Sequence, residues 1–425
     1  MDQASIAIAI FLFTYALIMS ERIHRAVAAL LGASLLLMLK IVPWENVPDY
    51  LDLDTLLLLT GMMIIVNTAK KSGLFEYIAI KTAKMARGNP IRVLLLFSFV
   101  TALVSSFLDN VTTVLLLTPM LLYVTRLMEL DPVPFLLAEI FASNIGGTAT
   151  LIGDPPNIMI GSAAGLTFND FLMNMAPIAL VDLLLAFVFI YLFYRGELKV
   201  SSEKEEKLGS ILNRMDEKGA IKDLRLFEKS VAVIMLVVVL FFVHDRLNIE
   251  PAVVAMFGAS VLLVWSKESP EEVFEKIEWP ALFFFGGLFI VVGGLVQTGV
   301  IEGIAEKLVD YVHTDAQALL LITWFSAFSS AIVDNIPLTA TMIPLIKAMG
   351  AFFNNSPLWW ALSLGACLGG NGTAIGASAN VVVIGIAERE RIKISFMDFL
   401  KVGMIIMVLT VGAGAAILWI RYMGV

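Results

Sequence analysis

The sequence predicts an all-α polytopic membrane protein made of two inverted repeats of five transmembrane helices each. Its mean hydropathy is +0.88, with 59% hydrophobic and 16% charged residues, a composition outside the range of soluble globular proteins. Apolar windows of about 20 residues recur along the chain, the length that a helix needs to cross about 30 Å of hydrocarbon. The motifs of the first half also return in the second half. No long alternating pattern indicates a β-barrel.

Ten apolar segments are long enough to cross a membrane, five in each half of the chain. They lie at about 4–20, 25–41, 52–69, 133–163, 171–194, 229–244, 250–265, 278–296, 357–386 and 396–420. Between the third and fourth segment of each half lies a further apolar stretch, at about 91–127 and 317–350, that an Asp-Asn pair interrupts. Each arm of these stretches is short for a crossing, so we expect two re-entrant helical hairpins.

The chain divides into a first repeat (1–195), a linker (196–228) and a second repeat (229–425). Because five crossings is an odd number, the second repeat must lie upside down relative to the first, as in many secondary transporters. The long polar stretch between the repeats is expected to be a solvated linker. The first apolar segment lacks a basic flank on its N-terminal side and a cleavage site, so we expect it to be a mature helix.

The distribution of Lys and Arg predicts the orientation, because cytoplasmic loops hold the excess of these residues. With both hairpins re-entering on the side they left, 24 of the 29 Lys and Arg residues lie on one side and five on the other. If either hairpin crossed fully, this asymmetry would weaken. We therefore expect an inner (plasma) membrane protein with both termini outside and the linker in the cytoplasm.

Two pairs of motifs carry the internal repeat. SSFLDNVTTVLLLTP, which contains Asp109, matches the stretch around DNIPLTATMIP at an offset of 225 residues. GGTATLIGDPPN (146–157) matches GGNGTAIGASAN (369–380) at six of twelve positions. The glycines and prolines of these two segments prevent a continuous helix. Broken helices expose terminal N–H and C=O groups, which can hold an ion or a polar solute.

We expect the substrate or ion site where the hairpin tips meet the two breaks. Asp109 and Asp334 are the intramembrane acids that the repeat duplicates, and they are the expected proton carriers. No Lys or Arg occurs at either tip or in either break, which favours a cation, a proton or a neutral polar solute over a multivalent anion such as citrate. The candidate binding residues are Asp109, Asn110, Thr112, Asn144, Gly146, Gly147, Thr148, Thr150, Asp154, Asn157, Asp334, Asn335, Gly370, Asn371, Thr373, Ser378 and Asn380.

Several polar residues have two interpretations. Asp154 is either a helix cap before Pro155 or a site residue, and the repeat replaces it with alanine in the second half. Glu139 and Asp182 are expected to be structural or to face water. Cys367, the single cysteine, is either a small packing residue or a contact for trivalent arsenic, although one thiol cannot form a three-sulfur cage. A single cysteine also excludes a disulfide framework, and we expect no cofactor.

The chain resembles the ArsB / P-protein (pink-eyed dilution) branch of the ion transporter superfamily, related to NhaD sodium/proton antiporters and to citrate and dicarboxylate transporters. The resemblance covers about 90–200 and 315–410 and rests on SSFLDNVTTVLLLTP, ASNIGGTATLIGDPPNIMI, DNIPLTATMIP, GACLGGNGTAIGASANVVVIGIAE and SFMDFLKVG. It implies a homodimer of elevator-type carriers and, by family analogy, a pump ATPase subunit as a further partner. The dicarboxylate relatives have Ser-Asn-Thr at each hairpin tip. The Asp-Asn tips of this chain depart from that pattern and disfavour carboxylate transport.

The expected function is that of a secondary transporter and not of an enzyme, with proton-coupled efflux of arsenite or antimonite as the leading hypothesis. The alternatives are a sodium/proton antiporter, with Na+ as coupling ion, and sodium-coupled transport of citrate, a dicarboxylate or another anion. A passive channel also fits, whereas an intramembrane aspartyl protease built on Asp154 does not explain the repeat. The expected partners are membrane lipid and a small inorganic solute or ion, with no nucleic acid.

Overall fold

A computed structural model describes residues 2–20 and 22–424, and all the regular secondary structure in these residues is helical. Eight helices within this part of the chain have the length and apolar composition needed to cross a membrane. The prediction of an all-α, multi-pass membrane protein is therefore confirmed. The expectation that each hairpin arm is too short to cross is wrong for two of them, Asn110–Leu127 and Asp315–Ile332, which are among these eight helices. The re-entrant course of the hairpins, the inverted orientation of the second half and the position of the termini stay predictions.

The first half and the linker contain twelve α-helices within the described residues. A short 3-10 turn at Trp44–Asn46 precedes the third of them. The helices are α1 (Gln3–Ser20), α2 (Arg25–Met38), α3 (Val47–Tyr50), α4 (Leu53–Lys71), α5 (Leu74–Ala86), α6 (Pro90–Ser105), α7 (Asn110–Leu127), α8 (Val133–Thr148), α9 (Pro155–Ala164), α10 (Phe168–Asn174), α11 (Ala176–Phe193) and α12 (Ser202–Asn213).

The second half follows the same order of long and short helices. A 3-10 turn at Gly370–Gly372 lies in its break. The helices are α13 (Leu224–Leu247), α14 (Pro251–Ser266), α15 (Pro270–Glu275), α16 (Trp279–Gln297), α17 (Val300–Val309), α18 (Asp315–Ile332), α19 (Asn335–Met349), α20 (Ser356–Gly369), α21 (Ser378–Arg389) and α22 (Phe396–Met423).

The helices form two groups that position the site. In the first group, α2 packs against α16 and α4 packs against α14, so that each contact joins the two halves of the chain. The second group contains the two hairpins, α6–α7 and α18–α19, and the two broken helices, α8–α9 and α20–α21, with α11 and α22 beside them. Within the second group, α7 packs on α21 and α19 packs on α9. The hairpins and the breaks of the two halves are therefore interleaved.

Two glycines allow the first arm of each hairpin to approach the broken helix beside it. A Cβ atom on Gly146 of α8 would lie 2.2 Å from the carbonyl oxygen of Ala102 in α6. A Cβ atom on Gly369 of α20 would lie 2.4 Å from the carbonyl oxygen of Ala327 in α18. The same close backbone contact thus occurs in both halves, and it requires a residue without a side chain.

The sequence suggested that the polar stretch between the halves is a solvated linker. In the structure, part of this stretch is helical and packs against the rest of the chain. It forms α12, on which Leu208 and Leu212 are buried. It also lies against α5, because Lys84 pairs with Glu217. The second half starts at Leu224, earlier than the expected residue 229. The polar composition of the segment reflects its outer surface, and its apolar residues attach it to the membrane-embedded part.

We expect Gly146→Ala and Gly369→Ala to lower the thermal stability of the detergent-solubilised protein, because each new methyl group would meet a backbone oxygen. Overpacking of this kind costs about 1–3 kcal/mol. Gly385→Ala in α21 is the matched control, since nothing lies within 4 Å of its added Cβ atom. In a helix interior, that change stabilises by about 1 kcal/mol or is neutral. Thermal unfolding measurements that rank all three variants alike would contradict this account of the packing.

Candidate substrate site

Each hairpin tip is built around an aspartate that caps a helix. Oδ1 of Asp109 accepts a hydrogen bond from the backbone N–H of Thr112 (2.9 Å) at the start of α7. Oδ1 of Asp334 accepts one from the backbone N–H of Ile336 (3.1 Å) at the start of α19. Both acids are half-buried. Capping of this kind stabilises by about 1 kcal/mol and uses one carboxylate oxygen, so the second oxygen stays available for another partner.

An asparagine side chain closes each broken helix. The amide nitrogen of Asn157 donates to the carbonyl oxygens of Gly147 (3.1 Å), Thr148 (3.3 Å) and Thr150 (2.9 Å). The amide nitrogen of Asn380 donates to the carbonyl oxygens of Gly370 (2.7 Å) and Thr373 (2.9 Å). These carbonyl groups are left without a helical partner by the break, and burial without one is costly. Each asparagine therefore holds the two parts of its own broken helix together.

The amide oxygens of these two asparagines accept from the other half of the chain. Oδ1 of Asn380 accepts from the amide nitrogen of Asn144 (3.1 Å). Oδ1 of Asn157 accepts from the hydroxyl of Ser363 (2.6 Å) and from the thiol of Cys367 (3.5 Å). At the 223-residue offset of the repeat, Cys367 is the counterpart of Asn144. The cysteine thus serves as a donor in a polar network, a role that composition alone does not reveal.

Further bonds tie this network to the hairpin bends. The hydroxyl of Thr150 donates to the carbonyl oxygen of Ser106, and that of Thr373 donates to the carbonyl oxygen of Ala331 (2.5 Å). The hydroxyl of Ser105 donates to Oδ1 of Asn110 (2.8 Å). Oδ1 of Asn110 leaves no room for a side chain at position 147, where an added Cβ atom would lie 2.4 Å away. The hairpin tips are therefore fixed relative to both breaks.

Asn371 and Thr148 complete the interior of the network. Oδ1 of Asn371 accepts from the amide nitrogen of Asn144 (2.9 Å), while Nδ2 of Asn371 is buried and has no partner among the described residues. The hydroxyl of Thr148 donates to the carbonyl oxygen of Asn144 (2.8 Å) within α8. Every candidate asparagine of the sequence analysis thus lies at the tips or breaks, as the repeat predicts.

Asp154 is buried, and its side chain does not cap the helix that follows it. Its two carboxylate oxygens instead accept from the amide nitrogen of Asn335, at 3.3 and 3.2 Å. Asn335 is at the tip of the second hairpin, so this contact joins the first break to the opposite half of the chain. Of the two interpretations left open by the sequence, the geometry does not show the side-chain cap, and the role of Asp154 in binding stays a prediction.

A cavity of about 80 Å³, room for several water molecules, lies between the hairpin tips and the first group of helices. Its apolar wall comes mainly from α4 and α16 and from the residues that flank the tips and the first break. Its polar lining consists of Arg25, Asp109, Asn110, Asp154, Glu278, Asn335 and Ser378. Arg25 and Glu278 were not among the site residues expected from the sequence. The other candidate residues form the network behind this cavity or flank it.

The Arg25 guanidinium changes the expected charge of the site. Its Nη1 lies 3.1 Å from Oδ2 of Asp334 and 3.1 Å from the hydroxyl oxygen of Ser378. Arg25 is the first residue of α2, where its charge looked like that of a cytoplasmic loop. Glu278 directly precedes α16. It also lies at the end of a charged stretch, so its position in the sequence gave no sign of a role in the site. Only the packing of α2 and α16 against the tips brings these two residues to the site.

Two further buried acids lie outside the cavity. Oε2 of Glu139 accepts from the hydroxyl of Thr118 (2.9 Å), whereas its Oε1 has no partner within the described part of the chain. Neither oxygen of Asp182 has a partner among these residues. Both acids are fully buried and not water-facing, in line with the structural alternative given to them above.

Two hairpins and two broken helices around a small cavity with charged and amide groups in its wall, inside a multi-pass helical membrane protein, define a secondary transporter. More narrowly, the chain belongs to the citrate transporter family, whose sequence model matches residues 15–365.

Relatives over the whole length support this assignment. The chain is 42% identical to an uncharacterized transporter of Mycobacterium tuberculosis, over 98% of each sequence. It is 42% identical to a 46 kDa membrane protein of Mycobacterium leprae, over 98% of this chain and 99% of that protein. It is 33% identical to the human P protein, over 99% of this chain and 60% of the P protein. The likeness to the P protein agrees with the superfamily inferred from the motifs.

Two solved structures share the fold. The YdaH transporter of Alcanivorax borkumensis has a TM-score of 0.61 at 15% identity, over 94% of this chain and 99% of that chain. MtrF of Neisseria gonorrhoeae, one of a class of antimetabolite efflux pumps, has a TM-score of 0.60 at 12% identity, over 88% of this chain and 82% of that chain. At these identities, the likeness concerns the fold and not the transported species.

We expect Asn380→Asp to destabilise the protein strongly, because a carboxylate would replace two N–H donors that face carbonyl oxygens. A buried group that loses its hydrogen-bond partners costs about 1–3 kcal/mol, and more if it is charged. Asn213→Asp makes the same change at an exposed position of the linker and serves as control. Thermal unfolding and gel filtration in detergent would measure both. Equal stability of the two variants would show that Asn380 does not hold the break together.

Proposed function

We propose that the protein exports arsenite or antimonite across the inner membrane in exchange for protons. The supporting observation is the charge of the cavity, where three acids (Asp109, Asp154 and Glu278) face one cation, Arg25, that Asp334 already neutralises. Arsenous acid is a neutral molecule with three hydroxyl groups at neutral pH. Its hydroxyl groups would donate to these carboxylates and to amide oxygens without needing a protein cation.

A citrate anion fits this cavity poorly, although the family takes its name from citrate. Citrate carries three negative charges at neutral pH. To offset the cost of removing these charges from water, the protein must place positive charges within about 4 Å of them. Three carboxylates around the cavity would repel it, and the one guanidinium is occupied. The charge balance therefore supports a neutral or cationic solute.

Two acids that line the cavity, Asp109 and Asp154, offer a route for coupling. Oδ1 of Asp109 is used in capping, and Asp154 is held by one amide, so neither acid is neutralised by a cation in the described contacts. One proton moving down about 150 mV supplies roughly 3.5 kcal/mol. That energy supports a gradient of about 300-fold in a neutral solute. A single carboxyl group that binds and releases a proton is therefore energetically sufficient.

The proposed direction follows from the predicted orientation. Arg25 and Glu278 stand at the ends of α2 and α16 that the Lys and Arg distribution assigns to the cytoplasm. A cavity next to these residues would load its solute from the cytoplasm, as an exporter requires. In an elevator mechanism, the hairpins and broken helices would move together against the α2, α4, α14 and α16 group. The bonds between Asn144 and Asn380 and between Cys367 and Asn157 support their movement as one body.

The elevator motion and the homodimer remain parts of this proposal. A pump ATPase subunit, which the family analogy implies, is a further expectation. Cys367 is engaged with Asn157 in the network behind the cavity, so the proposed arsenite site uses oxygen ligands and not the thiol.

A sodium/proton antiporter is the second candidate, and the same acids favour it. Carboxylate and amide oxygens from Asp109, Asp154 and Asn110 line one small cavity, and oxygen ligands of this kind suit a hard cation. The two candidates differ in the transported species and share the coupling acids. A transport assay therefore separates them.

We expect everted membrane vesicles with an acidic interior to accumulate arsenite. The Asp109→Asn variant should reduce the accumulation tenfold or more, because it lacks the proton-binding carboxylate. Asp310→Asn, at an exposed position after α17, should leave it unchanged. Sodium added without arsenite should not alter the internal pH. Vesicles that accumulate no arsenite but become alkaline on addition of sodium would establish the antiporter instead, and accumulation of citrate would refute the charge argument.

A further inference from the structure

The ion pair between Arg25 and Asp334 connects the two groups of helices. Arg25 belongs to α2 of the first group, whereas Asp334 caps α19 at a hairpin tip of the second group. Their closest atoms are 3.1 Å apart, with 36% of the Arg25 side chain and 20% of the Asp334 side chain exposed. The Arg25 guanidinium also lies 5.2 Å from the ring centre of Phe284 in α16. Arg25 thus links α2, to which it belongs, to both α16 and the tip of the second hairpin.

The internal repeat does not duplicate this cation. The helix that corresponds to α2 is α14, which starts at Pro251 and is preceded by Glu250. Asp109, the counterpart of Asp334, has the acid Glu278 as a charged neighbour at the cavity, and Glu278 also lies near Arg25. Two acids that look equivalent in the sequence therefore differ: one is neutralised by a guanidinium, and the other faces a further carboxylate.

The oxygens that hold Arg25 are also suitable ligands for a small cation. Oδ2 of Asp334 accepts from the hydroxyl of Ser378 (2.9 Å) and from the guanidinium, so the three groups form a closed triangle. A sodium ion or a proton at Asp334 would use the same oxygen and would have to displace the guanidinium. Because the pair is partly exposed to solvent, its net free energy is modest, and such displacement is feasible.

We propose that Arg25 is a specificity-determining residue, an internal cation that occupies the Asp334 half of the site and so excludes external cations from it. Binding of the transported species is then restricted to the half that contains Asp109, Asp154 and Glu278. The ion pair also holds the α19 tip against α2, so movement of the tip requires its release. This inference deepens the proposed function, on which it rests for the assignment of the cavity as the transport site.

Removal of the Arg25 charge should therefore create a cation site. Purified Arg25→Gln protein, at constant pH and ionic strength, is expected to unfold about 2 °C or more higher in sodium chloride than in choline chloride. The wild-type protein should show a smaller difference between the two salts. Arg25→Met, which keeps an apolar stem over Phe284, provides a second variant without the charge and is expected to behave like Arg25→Gln.

Three controls make the sodium effect specific. Arg22→Gln removes an exposed charge three residues before Arg25, outside α2, and should behave like the wild type. Arg25→Lys keeps the internal cation and should also behave like the wild type. Adding Asp334→Asn to Arg25→Gln should abolish the sodium effect, because the carboxylate ligand is lost.

The inference is overturned if both charge-removing variants fold but show no added sodium effect, or if the effect survives Asp334→Asn or occurs equally in Arg22→Gln. This measurement uses no transported solute. A sodium effect together with absent arsenite accumulation would therefore leave the role of Arg25 standing and remove the proposed substrate. Arsenite accumulation without the sodium effect would support the proposed substrate and overturn the role of Arg25.

Discussion

The structure depends on the need to satisfy backbone polar groups where two helices break inside a membrane. Asn157 and Asn380 meet this need, since each places one amide group against carbonyl oxygens that have lost their helical partners. Without these bonds, the irregular segments would carry buried unpaired carbonyl groups, each of which is costly in a low-dielectric environment. The hairpin tips, the close approach of α8 to α6 and the cavity all require the breaks to stay in one conformation.

The internal repeat gives the two halves similar helices. The function proposed for the site depends on the positions at which the residues of the two halves differ. Asn144 has a cysteine as its counterpart, Asp154 has an alanine, and Arg25 has no counterpart in α14. These differences leave one side of the cavity rich in carboxylates, while on the other side an acid is paired with an arginine.

Membership of the citrate transporter family and the charge of the cavity point in different directions, and the conflict is informative. The family describes the fold and the mode of transport, whereas the function proposed above rests on a few side chains at the tips and the cavity. The tips here begin with aspartate, and the nearest guanidinium is already paired.

Hydrophobic windows, glycine and proline positions and the duplicated Asp-Asn pairs were enough to predict the helical class, the helix pairs joined at Asp109 and Asp334 and the two breaks, because these features depend on local sequence. The candidate asparagines could be found in the same way, since a polar residue in an apolar segment needs a local reason. The length of the hairpin arms was predicted wrongly for α7 and α18, which are long enough to cross. The packing of α12 and the positions of Arg25, Glu278 and Cys367 in the site could not be predicted from the sequence. Arg25 is 309 residues from the acid it pairs with. Only the tertiary structure, by packing α2 and α16 against the hairpin tips, decided which charges meet, because electrostatic partners are determined by distance in space and not along the chain.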